Sequence, residues 1–293
     1  MGAKAKRFRL SNSMSNGVIT VAKPQKTGRK SAQSAAAPYT TTISKAGALL
    51  SDTKIVLAHW DLSASSQDNL DRFQSENIFG KESRGRVEDI LRIFRLRYLG
   101  DEQVTRTLVR LVDQGMPAES LDRILYFHAT LSDSLLHDVV TEFIYPLQQR
   151  GRYAIHIDEL QSTLSKWVKQ GKTKTQWSDD TIGRCARGLL STLRDFGVLQ
   201  GAVKKTIAPM YLSMPAFAYV AFYLKGQYQS GKQLLDDERW RLFFMSHEAV
   251  ERFFLEAHQR SLLEYHAAGH VIRVDFPAPS LEEYAHVIAK GST

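Results

Sequence analysis

Three observations predict a mainly α-helical protein. Apolar residues recur at three- and four-residue steps through most of the chain after Tyr39. The connections between these stretches are short, and alternating apolar patterns are confined to two hairpin-sized segments near 198–212 and 264–276. The 293 residues are 43% hydrophobic and 24% charged, which excludes a largely disordered, collagen-like or disulfide-stapled protein. A single cysteine, Cys185, allows neither an intrachain disulfide nor a multi-cysteine metal site, and it fits a reducing compartment.

The net charge of +8 belongs to a tail. Residues 1–38 hold eight basic residues (Lys4, Lys6, Arg7, Arg9, Lys23, Lys26, Arg29, Lys30) and no acid, so 39–293, with 31 of each sign, are neutral. With few large apolar residues, the tail is expected to be disordered. It lacks an apolar run of signal-peptide length, and also the regular amphipathic helix of a mitochondrial transit peptide. A nucleic-acid-binding arm, a cloning remnant and a natural start at Met14 all remain open for it.

Residues 39–149 are expected to form a compact helical domain. Thr42 to Trp60 reads as one helix, with Ile43, Ala46, Leu49, Leu50, Ile55 and Leu57 inward. Between Ser83 and Leu99 a stripe of Val87, Ile90, Leu91, Phe94 and Tyr98 is flanked by Arg84, Arg92 and Arg95 on one side and by Arg86 and Arg97 on the other. Val104, Leu108, Leu111 and Val112 mark the next helix, stopped by Gly115-Met116-Pro117. Leu121 to His128 and Leu135 to Leu147 follow. Residues 111–149 carry six acids against one base, Arg123, and should face protein or solvent, not phosphate.

The character changes at Gln149-Arg150-Gly151-Arg152. Residues 150–213 hold 11 basic and 5 acidic residues. A helix from Asp158 to Lys169 buries Leu160, Leu164, Trp167 and Val168. After a polar loop, Ser178 is placed to cap a second helix, with Asp179 and Asp180 suited to the dipole of its first turn. Ile182, Cys185, Ala186, Leu189, Leu190, Leu193 and Phe196 face inward, while Arg184, Arg187, Ser191 and Arg194 share the other face. Gly197 ends the helix, and Val198 to Leu212 reads as a hairpin with Lys204 and Lys205 near its tip. Helix, turn, basic-faced helix and basic hairpin is the winged helix-turn-helix order, although the loop from Gln170 to Trp177 is longer than a tight turn. The candidate DNA-binding residues are therefore Arg184, Arg187, Ser191, Arg194, Lys204 and Lys205. Simple packing or protein docking by that face is the competing reading.

Residues 214–293 are expected as a helical region with a β-hairpin: a helix from Asp236 to Met245, a long one from Ser246 to Leu262, and strands meeting across Ala268-Gly269, the second running from His270 to Phe276. A last helix is capped by Ser280 and ends near Lys290. With 8 basic and 10 acidic residues this region is a weak DNA candidate. The uncharged run 206–224 has the length of a membrane span, but Pro209, Pro215, Thr206 and Ser213 favour a strand leading into a buried helix.

No chemistry emerges. Gly226 to Lys232 matches the first seven positions of a phosphate-binding loop, but Gln233 stands where magnesium needs a hydroxyl, and no acidic strand end completes the site. The histidines are scattered without ligand spacing, with His266 and His270 across a turn and His247 and His258 outside any i, i+4 pairing. Cys185 reads as a small apolar side chain. Asp158, Glu159, Glu282 and Glu283 read as helix-start residues. No catalytic residue, metal or cofactor is expected.

Two stretches, Tyr39-Thr-Thr-Thr-Ile-Ser-Lys-Ala-Gly-Ala-Leu-Leu50 and Asn77-Ile-Phe-Gly-Lys81 continuing through Arg84, Arg86 and Phe94 to Tyr98, are joined by Leu193 to Leu199 and Lys204 to Pro209. With these words the sequence resembles the BrxA family, a small component of bacterial BREX phage-exclusion systems, over about 39–290. The resemblance implies a NusB-like N-terminal domain, a winged-helix region, DNA binding, and action beside a methyltransferase and other BREX proteins. It supplies no catalytic residues. The expected function is thus non-enzymatic, low-specificity binding of double-stranded DNA in the cytoplasm. The alternatives are an adaptor that assembles BREX components without DNA contact, and a nucleotide-binding enzyme built on the Gly226–Lys232 loop.

Overall fold

Arg97, expected on a solvent-facing flank, is buried and explains the first departure from the expected helices. The computed structural model describes residues 38–290 except His270; the tail, the strand start at His270 and the inward placement of the Ala46 side chain lie outside the described residues. The single helix expected over Thr42–Trp60 is two, α1 (Ile43–Ala46) and α2 (Leu50–Ala58), separated by Gly47 and Leu49, both at positive φ, 64° and 55°. The break frees backbone carbonyls, and the Arg97 guanidinium, only 7% exposed, donates to two of them, Ala48 O and Gly47 O, both at 2.8 Å.

A helix not foreseen, α3 (Ser66–Glu76), offers only Leu70 and Phe73 as apolar inward residues, too sparse a pattern to read as periodic. Helix α4 (Arg84–Tyr98) buries the expected stripe. Then come α5 (Glu102–Asp113), capped by the Asp101 side chain, and α6 (Ala118–Ser132). Helix α7 (Ser134–Asp138) runs through a π-helical turn (Val139–Ile144) into α8 (Tyr145–Gln149). Pro146 has no N–H for the Glu142 carbonyl, and the hydrogen-bond ladder shifts register just before it.

The basic section is built as β1 (Ala154–Ile155), α9 (Ile157–Lys169), α10 (Asp179–Asp195), β2 (Leu199–Gln200) and β3 (Lys205–Ile207). The sheet order is β1-β3-β2, antiparallel throughout, with Ala154 opposite Thr206 and Leu199 opposite Ile207. Strand β1 was not foreseen, since two residues show no alternation. Ser178 caps α10 by accepting from the Thr181 N–H, and every residue assigned to its inward face is buried.

The sections expected to part at 149/150 are stitched together by the segment at Tyr39. Tyr39 N donates to Lys172 O at 2.8 Å, and the Tyr39 hydroxyl and Lys172 Nζ both reach the Asp138 carboxylate. Burial alone would raise the Asp138 carboxyl. Hydrogen bonds from His137, Tyr39 and Lys172, with the Lys172 charge, outweigh it and hold the group down to about 2.

The uncharged run 206–224 passes from β3 into α11 (Met214–Lys225), a buried helix capped by Ser213. Among the described residues no helix is long and apolar enough to cross a membrane. The expected helix over Asp236–Met245 is instead α12 (Gly231–Leu235) followed by a 3-10 helix (Glu238–Phe243). After α13 (His247–Gln259), capped by Ser246, β4 (Glu264–Ala268) pairs antiparallel with β5 (Val271–Asp275), Tyr265 opposite Val274. The last helix, α14 (Leu281–Lys290), returns to α5, where Glu282 accepts from Arg106 Nε at 2.8 Å and from Arg110 Nε at 3.3 Å. One continuous apolar core joins all three sections.

Candidate nucleic-acid interface

Helix α10 presents its polar face toward the β2–β3 hairpin, and between them lies an open groove of about 680 Å³. Arg187, Ser191 and Arg194 form one wall, Lys204 and Lys205 the other, and His156 between β1 and α9 stands at the end. Five of the six side chains singled out in the sequence thus meet in one groove, and among the described residues no carboxylate lines it. Arg184 lies outside, one turn nearer the helix start. Clustered cations on low-dielectric walls focus a field that draws anions.

The cations are not equivalent. Among the described residues Arg187 and Lys204 have no hydrogen-bond or ion-pair partner, while Arg194 Nη2 lies 2.7 Å from Asp195 Oδ1 and Arg184 Nε 3.3 Å from Asp180 Oδ2. Lys205 folds back, donating to Gly201 O at 2.7 Å and to Ala202 O, so it braces the hairpin turn. That turn requires glycine: Gly201 has φ 94°, and a Cβ there would stand 2.1 Å from Lys204 O. Val203 at the tip is 93% exposed. Sequence reasoning missed His156 and the β1 wall, for which the only signal was the change of character at Arg150-Gly151-Arg152.

Other candidate groups resolve into structure. Cys185 is fully buried, and burial pushes its thiol up to about 11, away from nucleophilic use. His128 is buried against the Tyr219 hydroxyl at 2.7 Å, and burial pushes it down to about 3, so it is neutral. No group of three metal-ligating side chains forms among the described residues. The phosphate-loop match fails on geometry. Helix α11, not a strand, precedes it, and Gly231 is glycine because a Cβ would lie 2.6 Å from Ile272 O of β5. The Asn77–Lys81 word is a folded loop. Asn77 Nδ2 donates to Lys81 O, Asn77 Oδ1 accepts from Lys81 N, and Lys81 Nζ reaches the buried Asp52 at 2.9 Å. Arg84, in the next word, is exposed and pairs with Glu88.

Fold and groove together define a mainly helical protein that presents a cationic groove between a helix and a short hairpin. No curated protein matches the sequence. The BrxA family model matches residues 37–223, from the segment that anchors Tyr39 through most of α11, and the chain belongs to that family. It is accordingly a BREX-associated protein.

Proposed function

We propose that this chain binds double-stranded DNA, without catalysis and with little sequence preference, as a cytoplasmic component of a BREX phage-defence system. The observation that carries the reading is the groove in which Arg187, Arg194, Lys204 and Lys205 converge, with Asp195, paired to Arg194, outside the groove's lining. The order β1-α9-α10-β2-β3 supports a winged helix-turn-helix, with α10 approaching the major groove and the hairpin as the wing. In the same reading the helices of 39–149 form a NusB-like domain. Arg187 and Arg194 then meet phosphates from the helix side while Lys204 clamps the flanking backbone. Phosphate bonds position a protein without reading sequence, hence the low preference.

A second reading, an adaptor for other BREX proteins such as the methyltransferase, is favoured by the acid-rich stretch 111–149. Its one basic side chain, Arg123, is spent internally on Phe196 O at 2.7 Å and Tyr211 O at 3.1 Å. Titrating the full-length protein with a random-sequence duplex at low and rising salt separates the two. The DNA reading expects binding at low salt that weakens steeply as salt rises. No binding at low salt overturns it in favour of the adaptor.

A further inference from the structure

The cationic groove has α10 on one side and the β2–β3 hairpin on the other. In the reading above, its cations hold one phosphate strand, and α10 lies on the major-groove side of that strand. The minor groove lies on the strand's other side. The hairpin tip, on the far wall, is thereby carried to it.

That tip is apolar at a place where solvent would accept any residue. Val203 is 93% exposed, and among the described residues no other large apolar side chain exceeds 71%. Single exposed apolar side chains are common, but this one ends a braced loop. Gly201 takes φ 94°, a conformation open to glycine, and its carbonyl and that of Ala202 both accept from Lys205 Nζ. Two acceptors near the tip are thus covered by an ammonium. What projects into solvent is small and apolar, Ala202 and Val203, beside the exposed Lys204.

The minor groove is a matching surface. It is about 6 Å wide, its walls are sugar rings, and its floor presents acceptors, to which each G·C pair adds a protruding amino group. A narrow apolar tip with an adjacent cation and covered carbonyls suits those walls and that floor. It suits them best where no amino group stands in the way.

We propose that Val203 enters the minor groove beside the strand held in the cationic groove, packs between its sugar walls, and so gives the protein a preference for A·T-rich duplex. This rests on the DNA reading above. It adds to that reading a bias of base composition, within a complex otherwise held by phosphates.

The test compares full-length wild type and Val203→Ser on three duplexes of one length. One is A·T-rich and one G·C-rich; the third is the G·C-rich duplex with inosine for every guanine, which removes the minor-groove amino group and keeps the major-groove acceptors. Wild type is expected to bind the A·T-rich and inosine duplexes roughly 3- to 10-fold more tightly than the G·C-rich one. Val203→Ser should bind all three about equally, near the wild-type affinity for the G·C-rich duplex. Its melting temperature and its slope of log affinity against log salt should be unchanged, since no charge and no buried contact is lost. An inosine duplex bound no better than the G·C-rich one overturns the inference with DNA binding intact. So does a Val203→Ser protein that keeps the wild-type preference, or one that weakens equally on all three duplexes. Absence of wild-type binding to any duplex overturns the DNA reading and this inference with it.

Discussion

Gly188, in the middle of the basic-faced helix, lies against Ser44 so closely that a Cβ on it would stand 2.8 Å from the Ser44 Cα and 3.0 Å from the Ile43 carbonyl oxygen. The helix that forms one wall of the cationic groove is therefore seated on α1, and the groove's geometry depends on that backbone contact. Gly188→Ala should cost about 1–3 kcal/mol through overpacking, despite alanine's better helix propensity. A denaturant midpoint equal to wild type would show that α1 yields freely and does not set the position of α10.

Arg97 should prove structural. Removing it by Arg97→Ala leaves the Gly47 and Ala48 carbonyls without their donor and empties space beside the Phe196 ring, 5.9 Å from the guanidinium carbon. A loss of about 2–4 kcal/mol is expected. Exposed Arg86 on the same helix should change stability by no more than about 0.5 kcal/mol when replaced by alanine. Equal urea midpoints for the two variants would contradict this account of the α1–α2 break.

His128 gives a pH dependence of definite sign. Its folded-state value, pushed by burial from 6.5 to about 3, lies below that of the unfolded chain. The unfolded state therefore binds the proton more readily. Stability from this group is complete above about pH 6.5 and falls, by up to about 1.4 kcal/mol per pH unit, as pH drops toward 3. His128→Gln, which cannot titrate, should flatten that part of the stability curve measured by denaturation from pH 7 to pH 4. An identical slope in the variant would assign the dependence elsewhere.

Phe222 should hold the last helix to α11. Its ring centre lies 4.8 Å from that of Tyr284 and 4.9 Å from that of Phe276. Phe222→Asp should destabilise the fold by about 3 kcal/mol or more, since it removes the aromatic contact and places a charge in its stead. A melting temperature within a degree of wild type would show that this cluster adds nothing.

The legible parts of the fold were those in which one element's own spacing determines its faces. In α10 the cap at Ser178, the buried stripe from Ile182 to Phe196 and the opposite arginine face all follow from residues within a few turns of one another. What stayed hidden depended on distant partners or on very short elements. The break at Gly47–Leu49 is supported by Arg97, and the groove's end wall comes from the two-residue strand β1 and from His156. The site was half legible. Charge sign and order brought Arg187, Arg194, Lys204 and Lys205 together, but the neutralising neighbours Asp180 and Asp195 and the fold-back of Lys205 depend on side-chain conformations that spacing does not specify.

The most direct test of the central claim is the salt dependence of duplex binding by Arg187→Ala/Lys204→Ala, the two groove cations without a partner among the described residues. Each phosphate neutralised contributes about 0.9 to the slope of log affinity against log salt, so the double variant should lose about 1.8 from it and bind more weakly. Arg86→Ala/Arg92→Ala on α4 removes the same charge away from the groove and should leave the slope nearly unchanged. A folded groove variant with wild-type slope and affinity, or an equal loss in both pairs, would contradict the groove as the DNA-binding surface.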